Sequence, residues 1–237
     1  MIQAMKQRIS RRNFTKDKLG ANEIETIEHW TNQINATSAL SLQILEDGSK
    51  AFSHLKKSYG IFSNVHAMIL MKGNVADLKL KEKIGYYGET LLLKIVALGL
   101  GTCWVGGTYD KNEFDIPEKE TLIGVILVGN IDKSMKDILL RQVIGRNRKS
   151  IEKRIVTDAP LPEWILQGLE AVKIAPSAKN SQKPLFRYEK GVLSAEVLEE
   201  EPFDMVDLGI AKKHFELGAA HGTFELGNGG IFKISKE

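Results

Sequence analysis

The stretch from Ile84 to Leu100, IGYYGETLLLKIVALGL, is apolar on almost every side of the helix that its length and leucine content predict. Other elements must enclose such a helix, because an apolar surface on all sides cannot face water. The most apolar stretch of the chain, Leu91 to Val105, overlaps this helix but is shorter than the roughly 20 apolar residues that cross a bilayer, and Lys94 interrupts it. Gly99 and Gly101 supply the permissive backbone that ends the predicted helix. The segment therefore predicts the buried central helix of a layered, water-soluble domain.

Strands are predicted on both sides of this helix in the sequence. Val65–Met71 and Leu122–Val128 are dense apolar runs that end at lysine or glycine, as buried strands do. Leu40–Leu45 alternates apolar with polar residues and predicts a half-buried strand. Ahead of them, Asn22 and Glu25 have the spacing of a capping box, and apolar residues follow at helical spacing. We expect a first amphipathic helix to begin there.

The last third of the chain forms a second group of elements. Pro162 marks the start of a helix that Pro176 ends, and a second helix is predicted over Asp207–His221. Weaker strand patterns lie at Phe186–Tyr188, Gly191–Leu198 and Ile231–Ile234. Helices and short strands in this mixed order predict an α+β fold rather than a regular βαβ series.

Composition narrows the classes of protein that the chain can represent. Lysine and arginine number 33 against 30 aspartate and glutamate, so bulk charge gives no support for nucleic-acid binding. The single cysteine, Cys103, cannot form an intrachain disulfide and fits a reducing compartment. The opening MIQAMKQRISRRNF has no apolar stretch after its charges, unlike a secretory signal. We expect a cytoplasmic protein with neither a membrane nor a nucleic acid as partner.

No metal site is expected from the sequence. His214 and His221 lie seven residues apart on one face of a predicted helix. A zinc site needs further ligands, and no cysteine or glutamate pattern completes a set. Cys103 is interpreted as a small buried hydrophobe, with a redox thiol as the alternative.

The first of three candidate motifs is Arg8-Ile9-Ser10-Arg11-Arg12. Its guanidinium groups and its hydroxyl are suited to a phosphate dianion, because each arginine offers a planar fork of charged donors. The alternative interpretation is a solvated basic arm.

The second motif is the segment APSAKNSQKP, from Ala175 to Pro184, which directly follows a predicted helix. Ser177 and Asn180 present short polar groups that can address a polar ring edge or a ribityl chain without adding net charge. An ordinary turn is the alternative.

The third motif is GLGTCWVGG, from Gly99 to Gly107. Glycines let backbone N–H groups approach a ligand closely. The run looks like a dinucleotide fingerprint, but that fingerprint follows a strand and opens a helix, whereas this run follows a helix. We therefore reject a Rossmann fold.

Together the three motifs resemble the nitroreductase family of FMN-dependent flavoproteins, and GLGTCWVGG is especially similar to its thermophile-type (TM) branch. The resemblance implies a mixed, mainly antiparallel sheet flanked by helices. It implies an R-x-S-x-R grip on the FMN phosphate, a flavin-contacting P-S-x-x-N-x-Q motif, backbone amides beside flavin N5, and a basic pair that also reaches the phosphate. The phosphate grip maps to Arg8, Ser10 and Arg12, and the basic pair maps to Arg146 and Arg148. The flavin-contacting motif maps to Pro176, Ser177, Ala178, Asn180 and Gln182. The backbone amides beside N5 map to Val105, Gly106 and Gly107.

The order of the motifs departs from that of ordinary family members. There P-S-x-x-N follows R-x-S-x-R closely and meets the flavin of the partner subunit, whereas here it comes after the basic pair. The segments GYYGETLLLKIVALGLG and DLGIAKKHFELGAAHG are also loosely alike. We therefore expect a fused pseudo-dimer of two halves, residues 1–155 and 156–237, that form one composite unit with a single FMN. Such a chain can be a monomer or a homodimer.

The function implied by the resemblance is a ping-pong reaction in which NADH or NADPH reduces FMN and a small electron-poor acceptor, such as a nitroaromatic or a quinone, is reduced in turn. No catalytic side chain is expected, because the chemistry belongs to the cofactor. Three alternatives stay open: a non-catalytic flavin sensor or store, a different flavin reaction on the same scaffold, and an α+β interaction domain with no cofactor.

Overall fold

The computed structural model describes residues 1–53, 61–132 and 147–235. The chain divides into two compact units, each built from separate stretches of sequence. The first unit comprises Gln7–Leu80 and Leu91–Arg146, and the second comprises Met1–Lys6, Lys81–Thr90 and Asn147–Glu237. The predicted halves, 1–155 and 156–237, divide the chain differently and stay a prediction about its internal repeat.

A four-stranded antiparallel sheet forms the centre of the first unit, with the order β1-β2-β4-β3. The β-branched and leucine-rich β4 pairs on both sides, so that Ile126 lies opposite Ile69 of β2 and Trp104 of β3. Its residues from Val125 to Val128 are at most 1% exposed. The strands are β1 (Gln43–Leu45), β2 (Met68–Asn74), β3 (Gly101–Val105) and β4 (Glu120–Gly129).

Two long helices contribute to this unit, after a short N-terminal helix α1 (Ile2–Gln7). Helix α2 (Ala21–Ser38) buries a single stripe that includes Ile27 and Ile34. Helix α3 (Leu80–Ala97) is the predicted central helix, and Leu91, Leu92, Leu93 and Ile95 are fully buried. The capping box expected at Asn22 and Glu25 is wrong by two residues. The helix begins after Gly20, whose N–H donates to the Glu23 carboxylate at 2.8 Å, because Glu23 is the side chain that reaches back to the first turn.

The second unit has a five-stranded sheet with the order β5-β6-β7-β9-β8, in which only β5 and β6 are parallel. Helices α4 and α5 pack on it through an aromatic core in which the rings of Phe186 and Phe215 stack at 5.1 Å. Gly168 leaves room for the Phe215 ring, which an added Cβ would meet at 2.6 Å. The elements are β5 (Ile155–Thr157), α4 (Glu163–Lys173), β6 (Leu185–Glu189), β7 (Val192–Glu196), α5 (Asp204–Ala219), β8 (Gly222–Phe224) and β9 (Gly230–Ile234).

Helices α3 and α5 meet within the second unit at a pair of glycines. A Cβ added to Gly85 would lie 2.0 Å from the carbonyl oxygen of Val206, and one added to Gly209 would lie 2.1 Å from that of Glu82. Val206 is three residues before Gly209, and Glu82 is three residues before Gly85. Each glycine therefore faces the carbonyl group of the residue that lies three positions before the other glycine. This reciprocal relation is the one that a two-fold axis produces between identical helices, and it is consistent with the pseudo-dimer prediction.

A buried ion pair lies beside this crossing. The Lys212 ammonium donates to the Glu82 carboxylate at 2.6 Å and to the carbonyl oxygens of Glu225 and Gly227 at 3.0 and 2.7 Å. Both charged side chains are 0% exposed. Three acceptors match the three protons of an ammonium, so the charge is hydrogen-bonded as burial requires.

The α+β prediction is confirmed, and the main predicted helices and strands form with boundaries shifted by a few residues. Four elements have no counterpart among those predicted from the sequence: helix α1 and the strands β3, β5 and β8. Strand β3 falls inside the glycine-rich run. Within the described part of the chain, no helix is long and apolar enough to cross a membrane.

Candidate functional site

The R-x-S-x-R motif lies along strand β3 in the first unit. Ser10 pairs with Thr102 as a parallel neighbour, and the Arg11 N–H donates to the Thr102 carbonyl oxygen at 2.8 Å. Paired residues carry their side chains on the same face of a sheet, so the Ser10 and Thr102 hydroxyls share a face. Arg8 is buried, whereas Ser10 and Arg12 are half-buried.

Thr102 is a polar residue of this region that the sequence analysis did not select. Its side chain is 1% exposed, and no group of residues 1–53, 61–132 or 147–235 hydrogen-bonds its hydroxyl. A buried hydroxyl without a partner is costly and is therefore rare in folded proteins. The position of Thr102 beside the motif is known only from its pairing with Ser10, because no local pattern in the sequence indicates it.

The glycine segment continues directly from β3. The ladder between β3 and β4 ends with the pair Val105 and Val125, so Gly106 and Gly107 lie beyond the last pair. A Cβ added to Gly107 would meet no heavy atom within 4 Å, and Gly107 is exposed. The backbone at this point is therefore open to a flat ligand. The first unit thus joins the R-x-S-x-R motif and the glycine segment through one strand.

The P-S-x-x-N-x-Q motif forms a tight loop between α4 and β6 in the second unit. We call residues 177–182 the serine-asparagine loop. Three of its residues, Lys179, Asn180 and Gln182, have left-handed backbone with φ of 51°, 56° and 52°. The Ser177 hydroxyl accepts the Gln182 N–H at 3.1 Å, which closes the loop on itself. Pro176 precedes it and separates it from the helix.

The Gln182 side chain uses all of its hydrogen-bonding capacity inside the protein. Its Nε2 donates to the carbonyl oxygens of Asn147 and Asn180 at 2.7 and 3.3 Å. Its Oε1 accepts the Lys149 N–H at 3.0 Å and an Arg154 N–H at 2.5 Å. Two donors and two acceptor positions are thereby filled, and the side chain is 6% exposed. The geometry makes Gln182 a residue that shapes the loop.

The segment that carries the predicted basic pair also touches this loop. Arg146 lies outside the described residues. Arg148 donates to the Ala175 carbonyl oxygen at 2.9 Å, and Asn180 donates to the Asn147 carbonyl oxygen at 3.3 Å. Arg154, which the sequence analysis did not select, is 2% exposed, and burial lowers the pKa of its guanidinium.

A buried carboxylate lies on the other side of the loop. Asp207, in the first turn of α5, accepts the Ala178 N–H at 3.0 and 3.1 Å and the Ser181 hydroxyl at 3.1 Å. Burial raises the pKa of this carboxyl to about 7. The sequence offers no signal for this residue, because 26 residues separate Ser181 from it.

The predicted site residues are divided between the two units. Those in the first unit are Arg8, Ser10, Arg12, Val105, Gly106 and Gly107, and those in the second are Arg148, Pro176, Ser177, Ala178, Asn180 and Gln182. Their contacts with a flavin stay a prediction.

The two histidines considered as metal ligands have separate partners. His214 lies between the Glu89 carboxylate at 2.9 Å and the Ala171 carbonyl oxygen at 3.1 Å, and the His221 ring lies 5.2 Å from that of Trp164. Over the described ranges, no group of three or more potential ligand side chains could hold a metal ion.

Comparison with known proteins places these features in a family. A family model described as "Putative TM nitroreductase" matches residues 1–219. The structure is similar to that of a putative nitroreductase from Thermotoga maritima, with a TM-score of 0.64 and 22% identity over 98% of this chain and 91% of that chain. This likeness shows the nitroreductase fold, with antiparallel strands flanked by helices.

More distant matches cover the chain only in part. An FMN-dependent nitroreductase from Clostridium difficile matches with a TM-score of 0.47 and 19% identity over 56% of this chain and 89% of that chain. A nitroreductase with bound FMN from Bacteroides fragilis matches with a TM-score of 0.45 and 15% identity over 56% and 89%. No curated protein matches the sequence. On the family model, which spans most of its length, the chain belongs to the TM nitroreductase family.

Proposed function

We propose that the protein is an FMN-dependent NAD(P)H oxidoreductase that reduces a small electron-poor acceptor such as a nitroaromatic or a quinone. The observation that carries the proposal is the pairing of Ser10 with Thr102. It sets the R-x-S-x-R motif beside the strand that continues into Gly106 and Gly107, so the candidate phosphate-binding residues and an open stretch of backbone are joined within one unit.

The residues of the first unit fit the chemistry of FMN. Arg8 and Arg12 supply charged donors and Ser10 supplies a hydroxyl, a set suited to a phosphate monoester. The open space at Gly107 lets a flat ring approach the backbone N–H groups of the glycine segment. When bound, FMN would supply the hydride-transfer chemistry between a nicotinamide donor and the acceptor.

The serine-asparagine loop supplies neutral polar groups in a fixed shape. The Gln182 side chain holds one end of the loop and the Asp207 carboxylate holds the Ala178 N–H. Ser177 and Asn180 are the members whose side chains are suited to a flavin ring edge or a ribityl hydroxyl. Such preorganisation lowers the entropy cost of binding, because the loop is ordered in advance.

Flavin binding tests the proposal. Purified protein is mixed with FMN and desalted, and retained flavin is read from its absorption. The Arg8→Ala/Arg12→Ala double variant is expected to lose FMN, because the phosphate loses two charged forks. Lys16→Ala, which removes an exposed cation a few residues further along the chain, is the matched control and is expected to retain FMN.

Two further measurements sharpen the result. Because Arg8 is buried, Ser10→Ala serves as a milder variant and is expected to weaken FMN binding without unfolding the protein. NADH and NADPH oxidation with an added quinone separates an enzyme from a flavin store. Retention of FMN by the double variant would contradict the assigned phosphate grip, and flavin binding without turnover would leave only a flavin-binding protein.

A further inference from the structure

The Asp207 carboxylate is held almost entirely by the serine-asparagine loop. Its two oxygens share the Ala178 N–H at 3.0 and 3.1 Å, and Oδ2 also accepts the Ser181 hydroxyl at 3.1 Å. The side chain is 3% exposed. The nearby Lys183 ammonium is engaged by Asp204 at 2.9 Å and by Glu200 at 3.2 Å. Within the described part of the chain, Asp207 forms no ion pair.

Loop geometry and carboxylate charge are therefore coupled. An ionised carboxylate is costly to bury unless donors satisfy it, and the donors here come from the loop. The loop in turn has an N–H at Ala178 that needs an acceptor. If the loop moves, the carboxylate loses its donors. If the carboxylate takes up a proton, it accepts the hydrogen bonds from Ala178 and Ser181 less strongly, because a charged acceptor forms the stronger bonds.

We infer that Asp207 is the positioning residue for the serine-asparagine loop and that its ionised form holds the loop in the shape that binds FMN. The inference rests on the proposed function. Asp207 acts through Ala178 and Ser181 and touches neither cofactor nor substrate in this assignment. The opposite end of the loop is held by Gln182, a side chain that does not titrate.

The Asp207 carboxyl changes its protonation state near neutral pH. Burial raises the pKa of the carboxyl to about 7, and the charge of Asp204 adds to the rise. The hydrogen bonds from Ala178 and Ser181 and the charge of Lys183 act in the opposite direction. If FMN needs the ionised form, binding releases a proton below pH 7, and the dissociation constant rises with falling pH by at most about tenfold per unit.

The test measures the FMN dissociation constant by flavin fluorescence between pH 5.5 and 8.5. The wild-type constant is expected to rise about three- to tenfold from pH 8 to pH 6 beyond any change seen in Asp207→Asn, because the variant keeps the shape but cannot titrate. The FMN phosphate itself titrates near pH 6 and affects both proteins alike. The matched control is Asp204→Asn, which changes a buried neighbour in the same helical turn. We call the pH-dependent rise of the dissociation constant the pH step. The control should keep this step but shift it to lower pH, because the charge of Asp204 raises the pKa of Asp207.

Other outcomes are equally informative. If Asp207→Asn and the wild type bind FMN with the same pH profile, the inference is wrong and the proposed function stands. If the wild type binds no FMN at any pH, the proposed function itself is wrong. Should Asp207→Asn lack a cooperative thermal transition, Ser181→Ala replaces it. That variant removes one donor to the carboxylate, so the pH step should move upward, and an unmoved step would overturn the inference.

Discussion

At the scale of single residues, Gln182 shows that a side chain within a sequence motif can hold the shape of its own loop. All four of its hydrogen-bonding positions are filled by Asn147, Asn180, Lys149 and Arg154. The motif pattern alone assigns a flavin contact to every polar member. The structure distinguishes Ser177 and Asn180, which are only partly buried, from a glutamine that is enclosed.

Replacing Gln182 with alanine tests this role through stability. The change removes the acceptor of the buried Arg154 Nη2 and one of the two donors to the Asn147 carbonyl oxygen, and a buried group left unsatisfied costs about 1–3 kcal/mol. We expect the free energy of unfolding, from urea denaturation, to fall by about 2 kcal/mol or more. Gln167→Ala, which removes an exposed amide bonded to Glu163, should change it by less than about 0.5 kcal/mol. Equal losses in the two variants would contradict the structural role.

At the scale of elements, the crossing of α3 and α5 depends on backbone contact rather than on side chains. Gly85 and Gly209 bring each helix against a carbonyl oxygen of the other. Backbone atoms cannot move aside as the flexible end of a long side chain can. Gly85 and Gly209 therefore leave no room for a Cβ atom. The neighbouring Tyr86 hydroxyl donates to the Glu216 carboxylate at 2.5 Å and adds a polar contact to the same crossing.

Gly85→Ala is expected to destabilise the protein strongly. The new methyl group would lie 2.0 Å from the Val206 carbonyl oxygen, which forces the helices apart and costs about 3 kcal/mol. Thermal unfolding measures the loss. Gly107→Ala makes the same chemical change where nothing lies within 4 Å, so its melting temperature should match the wild type. A normal melting temperature for Gly85→Ala would show that the crossing can relax.

The elements also show what local sequence can and cannot predict. The central helix and β4 are long and strongly patterned, and both are found where their patterns place them. Strand β3 was missed because it lies inside a glycine-rich run and does not alternate apolar with polar residues, so that only its pairing with β4 and Ser10 defines it. The partners of Thr102, Gln182 and Asp207 lie far away in sequence, so no local pattern could reveal these contacts.

At the scale of the whole molecule, the number of motif copies predicts the flavin content. The chain carries one R-x-S-x-R motif and one P-S-x-x-N-x-Q motif. If the chain is the fused pseudo-dimer that its sequence predicts, one copy of each motif is expected to hold one FMN per chain, whether the protein is a monomer or a homodimer. Flavin absorption against protein concentration in saturated, desalted protein gives the ratio, and light scattering gives the mass. A ratio near two would contradict the single-site prediction.

Chemical modification of the enclosed Lys212 ammonium can report how often the second unit opens to solvent. Amine-modifying reagents reach a lysine only when its nitrogen meets solvent, and this one is 0% exposed and bound to three oxygens. The exposed Lys190 reacts in every molecule. The ratio of modification at these two lysines, followed by mass spectrometry, therefore counts how often the unit opens under native conditions, without denaturant and without any cofactor.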